Sequence, residues 1–499
     1  MPTLDPAQPT VVLIDPPYYR LYKDTYSLQR YPLALGYLAA QIRARSTWNV
    51  VVYNADFRPD SEPYHVSYLS GPGFQRYRRM LEDAGAPIWT EITSVVRRYR
   101  PRVVGLSCKS QTFASAVRVA EIVKRLDPAT RVVVGGPHAA MAAGAILDCP
   151  HVDAVVRGEG EQTIVELLEA WAAGRSPAGV AGVIHRDGAA VVAEAPRALM
   201  ADLDELPYPH VAAPEVLHDY ELYGPDAFSH VFATRGCPYS CFFCGSRHVW
   251  TRRVRHRSVD NVVGEMDPLI RSGVSHVHFD DDTFGVSRER IVDLCEAIHR
   301  RCPGASWSCE LHVNLIDDAT MAAMAAAGCR SIQIGIESGN NEMLRAIRKG
   351  ITIEQALDAC RTVDRHGIET QAFFMVGFPQ ETEKTLADTV AAMKQVRGIL
   401  SYSIFTPYPG TEAFDYCHER DLVDDDFDVA LHNHQSPHNC FCEHIAPERF
   451  RQLVGRIERR VDRHNRPGPL RRVLTGRESL TSLFGKGVRR LTGRAAAAV

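Results

Sequence analysis

The chain has 499 residues, too many for one ordinary folding unit, so we expect two or three domains. Hydrophobic residues make up 45% of it and charged residues 23%, near the averages of globular proteins, and the net charge is -3. This balance excludes a general affinity for nucleic acid or acidic membranes. No apolar run approaches the roughly 20 residues of a membrane-spanning helix. Residues 1–10 lack the pattern of a secretory signal, so we expect a cytoplasmic protein.

The first third of the chain alternates short apolar runs with amphipathic stretches, which predicts a parallel sheet with crossing helices. Polar or glycine-containing segments follow three of the predicted strands, at Ser107, at Gly135-Gly136 and at residues 157–161. Ligands of open α/β sheets bind beyond the carboxyl ends of the strands, so these loops form the predicted binding edge of a domain over residues 1–172. The strands are predicted at residues 11–14, 103–107, 132–134 and 152–156.

A second series of strands and helices begins after a predicted linker, residues 173–227, which includes a small hairpin over residues 182–192. Six units predict a complete or partial (β/α) barrel over residues 228–425, with its active site at the carboxyl ends of the strands. The strands of this series are predicted at residues 231–234, 277–279, 306–309, 331–336, 371–376 and 401–405.

Three clustered cysteines, Cys237, Cys241 and Cys244, follow the first strand of the second series. Thiolates at this spacing, in a loop that contains glycine and proline, can surround one inorganic centre, and zinc or a 4Fe–4S cluster are the candidates. Structural zinc normally takes four protein ligands, and no second pair of this kind lies nearby. Three cysteines on a cubane leave one iron open for a further ligand, whereas most other cysteines are scattered and are predicted to be small buried apolar groups.

The CxxxCxxC pattern with an aromatic residue before its last cysteine resembles the signature of the radical S-adenosylmethionine (SAM) superfamily. The resemblance implies that the open iron of a 4Fe–4S cluster binds the amino and carboxylate groups of SAM, with Phe243 beside the adenine. Further residues at strand ends resemble SAM-contacting segments of this family, although the aspartates among them are also typical of helix N-caps. These residues are Asp280, Asp281, Asp282, Glu310, Glu337 and Ser338.

The order of the domains resembles the cobalamin-dependent branch of the same superfamily. The matching stretches are residues 31–38, 134–138 and 157–161, and the resemblance spans roughly residues 11–425. Glycines in these loops let backbone approach a large ring closely. A DxHxxG motif, which supplies a histidine to cobalt in cobalamin mutases, is absent, so a sheet domain without cofactor stays an alternative. The resemblance implies cobalamin contacts at Ser107, Gly135, Gly136, His138, Gly158 and Glu159.

The resemblance also implies a reaction. A 5′-deoxyadenosyl radical would take hydrogen from an unactivated position of a small molecule, and methylcobalamin would supply a methyl group. An external donor such as flavodoxin or ferredoxin would supply electrons. The cofactors carry this chemistry, so no side-chain acid or base is predicted. Two alternatives stay open: a non-methylating cyclisation or rearrangement with the same cofactors, and a non-catalytic cobalamin- or metal-binding scaffold.

The segment from residue 426 to residue 499 contains several histidines, the pair Cys440 and Cys442, a predicted helix over residues 447–463 and a basic tail. A CxC pair with scattered histidines matches no familiar ligand spacing, which favours an ordinary loop over a metal site. The tail is predicted to be solvated, without an assigned function.

Overall fold

The computed structural model describes residues 2–64, 66–188 and 190–466, and the predicted basic tail lies outside these ranges. Two α/β units follow one another along the chain. The core of the first unit occupies both faces of its sheet, with Val12 and Ile14 in one apolar cluster and Val11 and Leu13 in the other. The second unit has one large core. Within the described ranges, no helix combines the length and the apolar character needed to cross a membrane.

The first unit contains a seven-stranded sheet in the order β2-β1-β3-β4-β5-β6-β7, in which β1 to β5 run parallel. All four predicted strands are present, as β1, β3, β4 and β5, whereas the edge strand β2 is not among the predicted ones. The strands are β1 Thr10–Asp15, β2 Asn49–Asn54, β3 Val103–Ser107, β4 Arg131–Gly135, β5 Ala154–Val156, β6 Val183–Asp187 and β7 Ala190–Ala193.

Helices cover both faces of this sheet, as expected where parallel strands are joined by crossovers. They are α1 Tyr19–Tyr22, α2 Leu33–Arg45, α3 Val66–Leu69, α4 Pro72–Glu82, α5 Pro87–Tyr99, α6 Phe113–Leu126, α7 Pro137–Leu147, α8 Glu161–Ala172 and α9 Pro209–Val216.

The predicted hairpin exists as β6 and β7, but it does not stand in a free linker. β6 pairs antiparallel with β5 and so extends the first sheet. In α9, Ala213 and Val216 are buried in one of the first unit's apolar clusters. Much of the segment 173–227 therefore packs with the first unit, because its apolar side chains find their burial there.

The second unit is a six-stranded, fully parallel sheet in the order β15-β14-β13-β12-β11-β8. β8 and β15 remain edge strands, so the barrel is partial. This is one of the two forms that the sequence predicts. β9 and β10 form a separate two-stranded pair. The strands are β8 His230–Val231, β9 Thr234–Arg235, β10 Arg255–His256, β11 Val277–Phe279, β12 Trp307–Glu310, β13 Cys329–Glu337, β14 Glu369–Val376 and β15 Ile399–Ile404.

Side-chain caps begin many helices of the second unit. Ser258, Ser287 and Asp317, for example, each accept a hydrogen bond from a backbone N–H of the first turn of α11, α12 or α13. The helices are α10 Ser246–Trp250, α11 Val259–Arg271, α12 Arg288–Arg301, α13 Asp318–Ala326, α14 Asn341–Ala346, α15 Ile353–Arg365, α16 Glu383–Met393, α17 Glu412–His418 and α18 Pro447–Asn465.

The segment between α17 and α18 contacts the first unit. Asn433 is fully buried, and its side-chain oxygen accepts hydrogen bonds from the hydroxyls of Tyr18, at 3.1 Å, and Tyr22, at 3.2 Å. Cys440 and Cys442 are half-buried free thiols in the same segment. The thiol of Cys440 contacts the carbonyl of Ile445 at 3.8 Å.

Candidate active site

The loop that carries the three cysteines leaves β9 through a glycine that the backbone requires. Gly236 has a φ of +95°, and a Cβ there would lie 2.5 Å from the carbonyl oxygen of Arg253. Beyond it, Cys237, Cys241 and Cys244 are free and half-buried. All three line one cavity of about 360 Å³ at the carboxyl end of the second sheet, the cluster-loop cavity. The structure therefore places the three thiols at one site, as the sequence predicts.

Burial and a nearby lysine act in opposite directions on the ionisation of the cysteines in this loop. Burial raises the pKa of all three thiols, that of Cys244 to about 11, although the nearby Lys349 opposes this at Cys237 and Cys241. Thiols in this state become good ligands once a metal displaces their protons. Three soft donors that share one cavity fit an iron–sulfur cluster held by three thiolates.

Four of the residues predicted to contact SAM line the same cavity. Phe243 lies on its wall with its ring 5.8 Å from that of Phe378, centre to centre. The carboxylates of Asp282, Glu310 and Glu337 also face it. Carboxylate oxygens can accept hydrogen bonds from an ammonium group or from ribose hydroxyls. The cavity thus combines thiols, an aromatic ring and acceptors, which fits SAM beside a cluster.

Three other residues predicted to contact SAM lie elsewhere. Asp281 is buried, and its carboxylate accepts hydrogen bonds from the backbone N–H groups of Ala233, at 2.8 Å, and Thr234, at 3.1 Å. These bonds hold the chain where β8 ends and β9 turns away, which is why the predicted strand over 231–234 is divided. Ser338 is fully buried beside Thr389. Asp280 lines a neighbouring cavity.

Lys349 is a residue of this site that the sequence analysis does not single out. Its ammonium group donates to Glu337 at 2.7 Å, both side chains are 11% exposed, and both line the cluster-loop cavity. Glu337 has a φ of +68°, an uncommon backbone conformation for a residue with a side chain. A buried cation in this cavity can bind a carboxylate group of a ligand. No spacing pattern marks Lys349, since a turn and a short helix separate it from Glu337.

A second cavity, of about 220 Å³, opens at the carboxyl ends of the first sheet, and its lining is mostly apolar or glycine. A Cβ added at Gly135 would meet nothing closer than Val156 Cβ at 3.9 Å, so backbone alone bounds the cavity there. Such a glycine-lined, apolar cradle fits part of a large ring system such as cobalamin. Five residues predicted to contact cobalamin line it: Ser107, Gly135, Gly136, Gly158 and Glu159.

His138, the sixth of these residues, lies off the cavity. It is 1% exposed, its Nδ1 is 3.0 Å from the hydroxyl of Ser110, and its ring packs on Phe113. Burial lowers its pKa to about 4, so the ring is neutral. Glu159 does reach the cavity wall, but its carboxylate already accepts hydrogen bonds from Arg235, at 2.7 Å, and Arg255, at 2.8 and 2.9 Å. We assign no cobalamin contact to His138.

A third cavity, of about 320 Å³, lies between the two units. It shares Ser107 and Arg235 with the glycine-lined cavity and Asp282 with the cluster-loop cavity. Asp282 accepts a hydrogen bond from the hydroxyl of Ser246 at 2.6 Å. The three cavities therefore lie side by side between the first sheet and the cysteine loop.

Comparison with known proteins agrees with this geometry. Residues 231–393 match the radical SAM superfamily and residues 19–168 match the B12 binding domain. The chain is 31% identical to an uncharacterized methyltransferase of Pyrococcus horikoshii over 418 residues, 83% of this chain and 84% of the relative. It is 28% identical to the anaerobic magnesium-protoporphyrin IX monomethyl ester cyclase of Rubrivivax gelatinosus over 362 residues, 70% of this chain and 63% of the cyclase.

Among solved structures, the chain is similar to the radical SAM methyltransferase TsrM from Kitasatospora setae, with a TM-score of 0.64 and 20% identity. The match covers 82% of this chain and 76% of TsrM, and it establishes the fold. A radical SAM domain together with a B12 binding domain implies a 4Fe–4S cluster, SAM and cobalamin as cofactors, and the cavities described above fit them. By these matches, the chain belongs to the cobalamin-dependent radical SAM enzymes.

Proposed function

We propose that the protein transfers a methyl group to an unactivated carbon or phosphorus atom of a small molecule, within a radical reaction. When bound, the cluster and SAM supply a 5′-deoxyadenosyl radical that takes hydrogen from the substrate, and methylcobalamin supplies the methyl group. The observation that carries this proposal is the position of Asp282. Its side chain borders both the cluster-loop cavity and the cavity between the units, so ligands bound in the two cavities would be neighbours.

Within this proposal, the thiolates of Cys237, Cys241 and Cys244 hold the cluster and leave one iron for SAM. Phe243 lies against the adenine. The carboxylates of Asp282, Glu310 and Glu337 accept hydrogen bonds from the amino group and the ribose of SAM, and the ammonium group of Lys349 binds its carboxylate. Support comes from the cavity that these residues share. Within the described chain, Glu337 is also the one carboxylate that forms an ion pair with Lys349.

Cobalamin is held, in this proposal, by the backbone at Gly135, Gly136 and Gly158, with Ser107 and the wall formed by Glu159. The domain over residues 1–172 then supplies the cobalamin site and the barrel over residues 228–425 supplies the cluster and SAM. Residues 173–227 connect the two. The apolar lining of the glycine-lined cavity supports this arrangement, because an apolar wall can pack against the large ring of cobalamin.

The reaction requires an electron donor, and we propose a small external protein such as flavodoxin or ferredoxin. The substrate is a small molecule that enters the cavity between the units. A second candidate function is a radical cyclisation without methyl transfer, which the similarity to the cyclase of Rubrivivax gelatinosus favours. The names of the Pyrococcus horikoshii relative and of TsrM favour methylation instead.

The test is anaerobic reconstitution with iron, sulfide and cobalamin, followed by analysis of the products of SAM. A second SAM would restore the methyl group that cobalamin gives up and would leave as S-adenosylhomocysteine, so formation of both 5′-deoxyadenosine and S-adenosylhomocysteine supports methyl transfer. Formation of 5′-deoxyadenosine alone supports the cyclisation, and formation of neither leaves only a binding scaffold. Replacement of the three loop cysteines by alanine is expected to abolish cluster absorbance. Cys149→Ala, at a half-buried cysteine of the first unit, is the matched control and should retain the cluster.

A further inference from the structure

A second group of metal-ligating side chains lies outside the cysteine loop, on the first two strands of the barrel. His230 of β8 and His278 of β11 are paired neighbours in the sheet, and Asp280 follows β11 directly. The Nδ1 atom of His230 is 3.2 Å from one Asp280 oxygen, and the Nε2 atom of His278 is 3.7 Å from the other. One ligand atom from each of these residues lies within 4.8 Å of the other two.

The surroundings of the two histidines leave these nitrogen atoms available. The Nδ1 atom of His278 is 2.8 Å from the hydroxyl of Ser308, so its Nε2 atom faces the carboxylates. A hydrogen bond at one ring nitrogen, which orients the other toward a metal, is the usual arrangement of metal-bound histidines. The Nδ1 atom of His230 is buried and makes no well-aligned hydrogen bond, although the carboxylate of Asp280 is close.

The charge at this point also favours a cation. Glu310 places a second carboxylate oxygen 3.7 Å from the Nε2 atom of His278. Two carboxylates that converge on two imidazole rings favour a positive charge at this point, either protons on the rings or a metal ion. Arg30, on the wall of the same cavity, makes no ion pair of 4.0 Å or less with Asp280 within the described residues.

We propose that His230, His278 and Asp280 bind one divalent transition-metal ion. Two imidazoles and one carboxylate form a ligand set suited to Zn²⁺ or Fe²⁺, and three protein ligands leave coordination positions open. His230 and Asp280 line the cavity between the units, so an oxygen atom of a ligand in that cavity can fill an open position. The site uses none of the three cysteines and does not depend on the proposed methyl transfer.

The test is anaerobic calorimetric titration of Zn²⁺ into the cluster-loaded protein, with the variants His278→Ala and Asp280→Asn. We expect one zinc per chain and binding weaker by about tenfold or more in each variant. His299→Ala is the matched control, because His299 is an exposed histidine of α12 whose Nδ1 atom contacts the carbonyl of Ala326 and which lies outside the ligand set. Its zinc affinity should equal that of the unaltered protein.

X-ray absorption at the zinc edge of the unaltered protein provides a readout that does not depend on how the variants fold. Two imidazole nitrogens and a carboxylate oxygen around zinc, without sulfur, are the expected ligands. The proposal is overturned if the unaltered protein, loaded with its iron–sulfur cluster, binds no zinc. It is also overturned if zinc is bound through sulfur, or if His278→Ala and Asp280→Asn both bind zinc as tightly as the unaltered protein does.

Discussion

Arg235 donates a hydrogen bond to Glu159 at 2.7 Å and so joins the strand before the cysteine loop to the loop that bounds the glycine-lined cavity. Arg235 also donates to Glu161, and Arg255 of β10 donates to Glu159. All four side chains are at most 9% exposed. This buried network of two arginines and two glutamates joins the glycine-lined cavity to the strand that precedes the cysteine loop.

Replacement of Arg235 by methionine should destabilise the protein by about 3–5 kcal/mol, since it removes the positive charge that pairs with the buried carboxylates of Glu159 and Glu161. The free energy of unfolding of cobalamin-free protein, from urea titration, measures this loss. Arg365→Met removes an exposed ion pair with Asp318 and should cost less than about 1 kcal/mol. Equal losses in the two variants would contradict a structural role for the network.

Replacement of Gly135 by leucine should weaken cobalamin binding by about tenfold or more, because the added side chain occupies the cavity at a position where the protein itself leaves room. Cluster absorbance should not change. Gly144→Leu is the control, since Gly144 is exposed in α7 and a Cβ there meets nothing within 4 Å. Equilibrium binding of cobalamin measures both variants, and unchanged affinity in Gly135→Leu would place cobalamin elsewhere.

Much of the fold follows from local patterns. β-branched runs that end at glycine or polar residues mark parallel strands, and parallel strands bring their carboxyl ends to one edge. This rule is enough to predict that the cysteine loop, Asp282, Glu310 and Glu337 meet around one cavity. The hairpin β6–β7 is also local, but its attachment to β5 depends on a free sheet edge, which no local pattern reveals.

The parts that sequence reasoning missed depend on side-chain direction or on distant contacts. Asp281 and Asp282 are neighbours in the sequence, but their side chains point to different sides of the segment after β11. Asp281 accepts hydrogen bonds from buried backbone N–H groups, whereas Asp282 faces two cavities. Arg235 and Glu159 are 76 residues apart and belong to different units. Lys349 reaches Glu337 only after the chain has turned through α14.

Replacement of Lys349 by methionine should weaken SAM binding by about tenfold or more, because a charge-assisted hydrogen bond contributes roughly 1.5–3 kcal/mol. The cluster should still assemble, since its ligands remain. Arg348→Met is the matched control: Arg348 is the preceding residue, is 42% exposed and pairs with Glu412. Anaerobic equilibrium binding of SAM measures both. Unchanged affinity in Lys349→Met would remove Lys349 from the site.

Glu381 lies behind the strand end of β14 and gives the protein an unusual dependence on pH. It is fully buried, one carboxylate oxygen accepts a hydrogen bond from the backbone N–H of Gly377, and the other has no partner among the described residues. Burial raises its pKa from 4.5 to about 7, although the backbone N–H groups of Gly377 and Phe378 oppose the rise. The folded protein therefore holds a proton that the unfolded chain releases near pH 4.5.

Below pH 4.5 the carboxyl group is protonated in both states and does not affect the free energy of unfolding. Between pH 4.5 and about 7 only the unfolded chain ionises, so the free energy of unfolding falls by up to about 1.4 kcal/mol per pH unit, roughly 3 kcal/mol in all. Glu381→Gln keeps an oxygen acceptor and cannot ionise, so its stability relative to the unaltered protein should rise from about pH 5 to about pH 7.5. Urea unfolding of the cluster-free protein at the two pH values measures this difference. Glu383→Gln, at an exposed carboxylate whose pKa is lowered by Arg449, should not reproduce the rise, and a Glu381→Gln variant with the pH dependence of the unaltered protein would show that Glu381 ionises normally.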